Sequence, residues 1–407
     1  MYLDDADRYS RLRLIAWWDQ TRLARARILV VGAGALGNEV LKNLALVGAG
    51  TLHVVDFDKV EESNLTRSTL FRDRDCGRPK ALAAAAALRD LNADTRVIPH
   101  AGNVMTDVGL GLFRDADVVI GCLDNREARL WVNRQCWKVS TPWIDGGIQE
   151  INGVVKVFVP PASACYECGM TENDYRLINL RYSCPLLRRE DIAAGKVPTS
   201  PTIASIVGGL QTQEALKLLH GLPVAAGEAL VFNGVANQFY RTAFQRREDC
   251  LSHETYEEVR ELPISAAGTA AELFSAARSL HPSTEPLRLL LDRDLVTETE
   301  CGQCGERKKV MRPLYSTGIE LARCNRCGEI GKPIMQHVVV EGDLLANETL
   351  EQLGIPRYDI VRIQVSDREI PLLLAGDRPT VLDPAHSINA ADHQGLREND
   401  GVKSTTV

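Results

Sequence analysis

The chain has 407 residues, 45% of them apolar and 25% charged, with a net charge of −7. That is ordinary globular usage, and at about 150 residues per domain the length predicts two to three domains. Aromatics at 5% and the lack of a dense Lys/Arg block argue against a nucleic-acid partner. No run of 18 apolar residues occurs, and the acidic start MYLDDADRYSRLRL lacks an apolar signal core. No membrane partner is therefore expected, and the chain is placed in the cytoplasm. Eleven cysteines, six of them in three Cys-x-x-Cys pairs, then suggest metal or thiol chemistry rather than disulfides.

In chain order, Arg27–Val31 (RILVV) is predicted as a buried parallel strand that runs into Gly32-Ala33-Gly34-Ala35-Leu36-Gly37 and a helix to about Val47. Thr51–Asp56 is a second strand. Pro79–Leu91 is an alanine-rich helix with proline in its first turn. Arg96–Pro99 and Ala116–Cys122 are strands, and Asn125–Val139 is a helix. This alternation predicts a doubly wound, mostly parallel sheet of Rossmann-like α/β type. Ile148–Val159 alternates like an antiparallel pair around an Asn152-Gly153 turn. Residues 160–200 have little periodicity; Pro201–Leu219 is a long helix and Ala229–Phe232 a strand. A first domain is drawn over residues 1–254. A smaller α+β domain follows over 255–383, with a helix at Ala270–Leu280 and strands at Leu287–Leu291, Val338–Val340, Ile360–Val365 and Ile370–Leu374. It carries a cysteine-rich insert at 301–327. The polar tail 384–407 is expected to be disordered.

The glycine loop between strand and helix lets backbone approach a nucleotide at a helix N-terminus. Gly32, Gly34 and Gly37 form the pattern, and Asp56 ends the next strand where an acid suits a ribose hydroxyl. Taken alone, this fits a nicotinamide-dependent oxidoreductase. The loop lacks a Gly-Lys-Ser/Thr ending, so a triphosphate would need cations from elsewhere. Asn64-Leu65-Thr66-Arg67 and Gly77-Arg78-Pro79-Lys80 offer them. Lys80 fits both a phosphate ligand and a solvated surface lysine. In Cys122-Leu123-Asp124-Asn125, Asp124 could hold Mg²⁺, and the Asp124-Asn125 pair could equally cap the following helix.

With Arg8-Tyr9-Ser10-Arg11 ahead of VVGAGALG, DFDKVEESNLTR, GRPK and CLDN, residues 8–253 resemble the ThiF/MoeB group and the catalytic domain of ubiquitin-activating enzymes. The resemblance implies an adenylyltransferase that uses ATP and Mg²⁺ on the C-terminal glycine of a small β-grasp ubiquitin-like protein. It implies that Gly34 lies on the nucleotide and Asp56 on its ribose. Asn64, Arg67 and Lys80 would contact phosphates, and Asp124 would position Mg²⁺. It further implies a homodimer in which Arg11 reaches the partner's site. Ser68 departs from the glutamine often found after Asn-Leu-x-Arg.

Cys165-x-x-Cys168 needs two more ligands for a closed zinc shell, and Cys250-x-x-His253 supplies them. The family's relatives carry a second Cys-x-x-Cys pair there, so His253 is a departure. Cys301, Cys304, Cys324 and Cys327, with 19 residues between the pairs, read as a zinc ribbon. Two structural Zn²⁺ ions are thus expected. Cys184 lies on the stretch that in ubiquitin-activating relatives carries a thioester-forming cysteine, with Arg181, Arg188 and Arg189 nearby in sequence. The expectation placed first is adenylation, then a thioester on Cys184, then transfer to a conjugating-enzyme-like protein through a ubiquitin-fold-like C-terminal domain. The alternative is a sulphur-carrier adenylyltransferase of the molybdopterin or thiamine type. A non-enzymatic zinc scaffold is a third reading, disfavoured by the full set of Arg67, Lys80 and Asp124.

Overall fold

A computed structural model describes residues 7–182 and 198–384. Cys184, Arg188, Arg189 and the tail from 385 onward lie outside the described residues. No described helix is long and apolar enough to cross a membrane.

The first unit begins with α1 (Gln20–Arg25), capped by Asp19, and β1 (Arg27–Val31). There follow α2 (Ala35–Leu46), β2 (Thr51–Val55), α3 (Lys80–Leu91), β3 (Arg96–His100) and α4 (Leu110–Arg114). Then come β4 (Val118–Gly121), α5 (Arg126–Lys138), β5 (Trp143–Gln149), β6 (Asn152–Phe158), α6 (Glu172–Tyr182) and α7 (Pro201–His220). β7 (Glu228–Asn233) and β8 (Gln238–Ala243) complete one eight-stranded sheet, ordered β3-β2-β1-β4-β5-β6-β7-β8. From β3 to β5 the pairings are parallel, and from β5 to β8 antiparallel. The parallel half is apolar on both faces because α2, α3 and α7 cover one face and α4 and α5 the other. Pro99 is tolerated because β3 is an edge strand.

The second unit contains β9 (Arg260–Leu262), α8 (Ala270–Leu280), β10 (Arg288–Glu300), β11 (Arg307–Pro313), α9 (Ile319–Ala322), β12 (Lys332–Val340), β13 (Ile360–Val365), β14 (Arg368–Leu374) and α10 (Arg378–Leu382). Its six-stranded sheet runs β11-β10-β13-β14-β9, with β12 on the other side of β10. One strand, not a hairpin, precedes α8. Thr269 and Glu272 form a capping box that starts α8, whose Leu273, Phe274 and Ala277 pack on the sheet.

Two expectations need correction. The hairpin turns at Glu150-Ile151, two residues before the expected Asn152-Gly153 turn, with Glu150 at φ +55°. Gly153 instead lies in β6, where a Cβ would sit 2.3 Å from Val207 Cγ2 of α7. Its glycine makes room for a helix rather than a turn. The strand expected at 287–291 continues to Glu300. The expected strand stops short of the Asp292-Arg293-Asp294 run, and the partners of two of its charges lie far away in sequence. Arg293 pairs with Asp359 at 3.0 Å, and Asp292 accepts from Lys138 at 2.8 Å and from Arg362.

The units share one core. Tyr358, Ile360 and Leu373 pack in the same cluster as Phe113, Val119 and Trp137. Asp359 Oδ1 accepts the N–H of Leu110, and Gly111 N–H donates to Tyr358 O at 3.0 Å, so the second unit caps α4. A Cβ on Gly111 would lie 2.4 Å from Tyr358 O.

Candidate functional site

Each glycine of the loop has a different task. Gly32 has φ +100°, and a Cβ there would meet Cys122 O at 2.4 Å. A Cβ on Gly37 would meet Gly32 O at 1.9 Å, so this glycine lets α2 seat on its own loop. Gly34, the N-cap of α2, faces open space, with nothing within 4 Å of a built Cβ. Bare backbone at a helix N-terminus is suited to an anionic ligand. Buried Asn38 braces the loop. Its amide donates to Ala33 O at 2.7 Å and Gly34 O at 3.0 Å, and its Oδ1 accepts from Leu70 N–H.

Asp56 closes the other side. Oδ2 accepts the N–H of Ala33 and Oδ1 that of Asp58, both at 2.8 Å. Burial pushes its carboxyl up and nearby Lys80 pulls it down; burial wins. Lys80 opens α3 with its ammonium 3.1 Å from Asp58 Oδ2. Arg67 folds back on Ser63 O at 2.5 Å, and Asn64 caps its own turn by accepting from Glu61 N–H. Asp124 is exposed just beyond β4 and accepts from the amide of Asn125 at 3.1 Å, while Asn125 caps α5 through Ala128 N–H. The Asp124-Asn125 pair therefore divides its work: Asn125 caps and Asp124 stays available.

The structure thus gathers Gly32, Gly34, Gly37, Asp56 and Lys80 around one loop, with the 122–125 turn packed beneath it. Arg11 is elsewhere. Its segment is anchored by Tyr9, which touches Gly48 and bonds Asn92 and Asp94 beyond the far end of α2. Twelve residues of helix span about 18 Å, so Arg11 does not reach this chain's own loop.

The first cysteine cluster joins Cys165, Cys168, Cys250 and His253. Its sulphurs are 3.5–3.6 Å apart, and His253 Nε2 lies 3.4 Å from Cys168 Sγ. Tetrahedral zinc at about 2.3 Å from sulphur would place ligands about 3.8 Å apart, so the set fits. His253 stacks on Trp137, and burial lowers its pKa, favouring the neutral ring a metal needs. Between the two cysteines, fully buried Glu167 accepts from Arg134, Tyr175 and Ser252. In the second cluster, Cys301–Cys327 and Cys304–Cys324 are 3.4 and 3.5 Å apart. Gly305 and Gly328, at φ +71° and +77°, each close a knuckle by donating to the carbonyl of the first cysteine of the pair.

Sequence reasoning missed Asn38, Glu167, Arg129, Asp145, Lys156 and Gln211. Each is a polar residue whose role depends on partners distant in sequence, so no local pattern marks it.

A model of the ThiF family matches residues 7–252. The "Sulfur carrier protein ThiS adenylyltransferase" of Escherichia coli K12 is 33% identical over 254 residues, 61% of this chain and 96% of that protein. "Adenylyltransferase and sulfurtransferase MOCS3" of Sus scrofa is 33% identical over 252 residues, and the chain spans only 53% of its length. A "Ubiquitin-activating enzyme E1-like" protein of Saccharomyces cerevisiae is 36% identical over 153 residues, 37% of this chain and 24% of that one. The crystal structure of E. coli MccB with ATP superposes with a TM-score of 0.52 at 24% identity, covering 61% of this chain and 74% of that one, a likeness of fold alone.

Proposed function

The chain belongs to the ThiF family, and from that premise we propose that it uses ATP to adenylate the C-terminal glycine of a small β-grasp carrier protein of the sulphur-carrier kind. The observation that carries this reading is the open side of Gly34 at the start of α2, with Asp56 and Lys80 beside it. The carrier carboxylate oxygen forms a bond to the α-phosphorus, the bond to the bridging oxygen breaks, and pyrophosphate leaves. Concentrated positive charge at the β- and γ-phosphates favours that departure. Asp56 takes the ribose. Lys80 and Arg67 exchange Asp58 and Ser63 O for phosphate oxygens, with Asn64 beside them. Asp124, an exposed carboxylate, fits Mg²⁺, which neutralises phosphate charge when bound. Arg11 serves the site of a second copy, making the enzyme a homodimer. Both cysteine clusters hold Zn²⁺ as structural ions, and the chain divides near residue 254 into a catalytic and an accessory unit.

This order of readings reverses the one placed first from sequence. The sulphur-carrier relative of Escherichia coli aligns over 254 residues, 61% of this chain, while the E1-like relative aligns over 153 residues. That shorter match supports a second reading, in which Cys184 accepts the carrier as a thioester and hands it to a conjugating-enzyme-like protein. ATP–pyrophosphate exchange that depends on a Gly-Gly-ended carrier tests the first reading, and Asp124→Ala is expected to lower it at least about 100-fold. No exchange with sulphur carriers or ubiquitin-like proteins would overturn it. A reducible carrier adduct lost in Cys184→Ala would establish the second.

A further inference from the structure

The turn that presents Asp124 is held from both sides, by a half-buried arginine and a buried glutamine. On one side stands Arg129 of α5. Its Nε donates to Asp145 Oδ1 at 2.8 Å, and its Nη2 donates to Leu123 O at 2.5 Å and Gly146 O at 3.0 Å. Asp145 is fully buried, and its second oxygen accepts from Lys156 Nζ at 3.1 Å. On the other side, fully buried Gln211 of α7 donates from Nε2 to Gly121 O at 2.9 Å. Leu123 immediately precedes Asp124, and Gly121 ends β4. A Cβ on Gly146 would lie 2.3 Å from Gln211 Oε1, so β5 is glycine at its middle where this clamp passes.

We propose that Arg129 and Gln211 are positioning residues for Asp124, fixing the carbonyls of Leu123 and Gly121 so that the Asp124 carboxylate is aimed at the nucleotide-bound divalent cation. The assignment rests on the proposed role of Asp124. A lysine could pair with Asp145 but could not serve Asp145 and two carbonyls together, because only the planar guanidinium offers donors in several fixed directions. The charges agree with the role. One carboxylate between two cations leaves a surplus positive charge under an anionic loop, and Asp124 is close enough to act on Arg129 electrostatically. Groups that orient a metal ligand without touching the metal change affinity by about 10–100-fold when altered.

Arg129→Lys tests the clamp through binding of Mn²⁺, followed by electron paramagnetic resonance in the full chain with a nonhydrolysable ATP analogue. Mn²⁺ affinity is expected to fall about tenfold or more. The Mg²⁺ concentration for half-maximal pyrophosphate exchange should rise in step, with a smaller change at saturating Mg²⁺. Gln211→Met, which removes one donor at nearly constant volume, should shift Mn²⁺ affinity in the same direction by less, and it carries the test if Arg129→Lys does not fold. Unchanged Mn²⁺ affinity in a folded variant would overturn the proposal and leave the cluster a stabilising ion network only. The underlying reading fails separately, through a wild type and an Asp124→Ala variant that bind Mn²⁺ alike.

Discussion

The two clusters, one of three cysteines and a histidine and one of four cysteines, have similar ligand chemistry and opposite surroundings. Cys165, Cys168, Cys250 and His253 sit against Trp137 in the core shared by the two units, with Glu167 and Arg134 locking the knuckle from behind. Cys301, Cys304, Cys324 and Cys327 close a ribbon beyond the end of β10, where Cys327 is exposed, glycines shape the turns and a half-buried Glu306 accepts the N–H of Arg326 at 3.0 Å. The first joins segments 85 residues apart; the second pins a local excursion. The same two-residue spacing within each pair therefore carries different structural weight, decided by what packs behind the ligands.

The sharpest way to break that contrast is to remove one ligand from each cluster. Cys165→Ser should lower the Tm by about 10 °C or more and abolish pyrophosphate exchange, because metal binding there is also folding energy. A melting curve that resembles the wild type would show the clusters to be equivalent. Next comes Glu167, fully buried behind its cluster where Glu306 of the ribbon is only half-buried. Glu167→Gln leaves Arg134 without its anionic partner and should cost about 3 kcal/mol in denaturant unfolding. A loss below about 1 kcal/mol would mean the knuckle does not need it.

Acid should separate the regions too. His53 and His100 stack in the first unit with 3.0 Å between ring nitrogens, and burial holds their pKa values down to about 3 and about 4, with His53 lowered further by His100. Both rings are neutral when folded and take up protons when unfolded. Their contribution is complete above about pH 6.5 and is lost as pH falls toward 4, with up to about two protons bound on unfolding. A stability–pH slope in that window that His53→Phe does not flatten would exclude the pair as its source. Smaller still, Gly305→Ala should cost about 1 kcal/mol, since its left-handed backbone is strained by any Cβ although space is open around it. Finally, Cys327→Ser should leave exchange unchanged while zinc per chain falls from about two to about one.

Much of the first unit was legible in sequence. The glycine loop, the β-branched strands and the alanine helix each express a local preference that agrees with the fold. The candidate site was legible as far as its parts are contiguous, as with Asn64-Leu65-Thr66-Arg67. What escaped depends on distant partners. Gly153 looked like a turn until α7 packed on it, and the strand drawn to Leu291 stopped short of Asp292-Arg293, whose partners Lys138 and Asp359 are distant in sequence. Arg11 could be named but not placed, because its segment lies at the far end of α2. Arg129, Asp145 and Gln211 form one clamp from three separate segments, which no local pattern announces.

The seam at α4 bears on how such a chain could be recombined. Gly111 leaves room only for a backbone carbonyl, and Asp359 supplies the cap that the first turn of α4 lacks. A chimera that grafts another protein's C-terminal unit after residue 254 would have to bring a matching carboxylate and a residue able to hold the left-handed geometry of Tyr358 at φ +59°. The two halves are in that sense bound to one another's histories: a side chain at 111 would meet the backbone of 358, which no substitution at 358 removes, so glycine there persists only as long as this seam does.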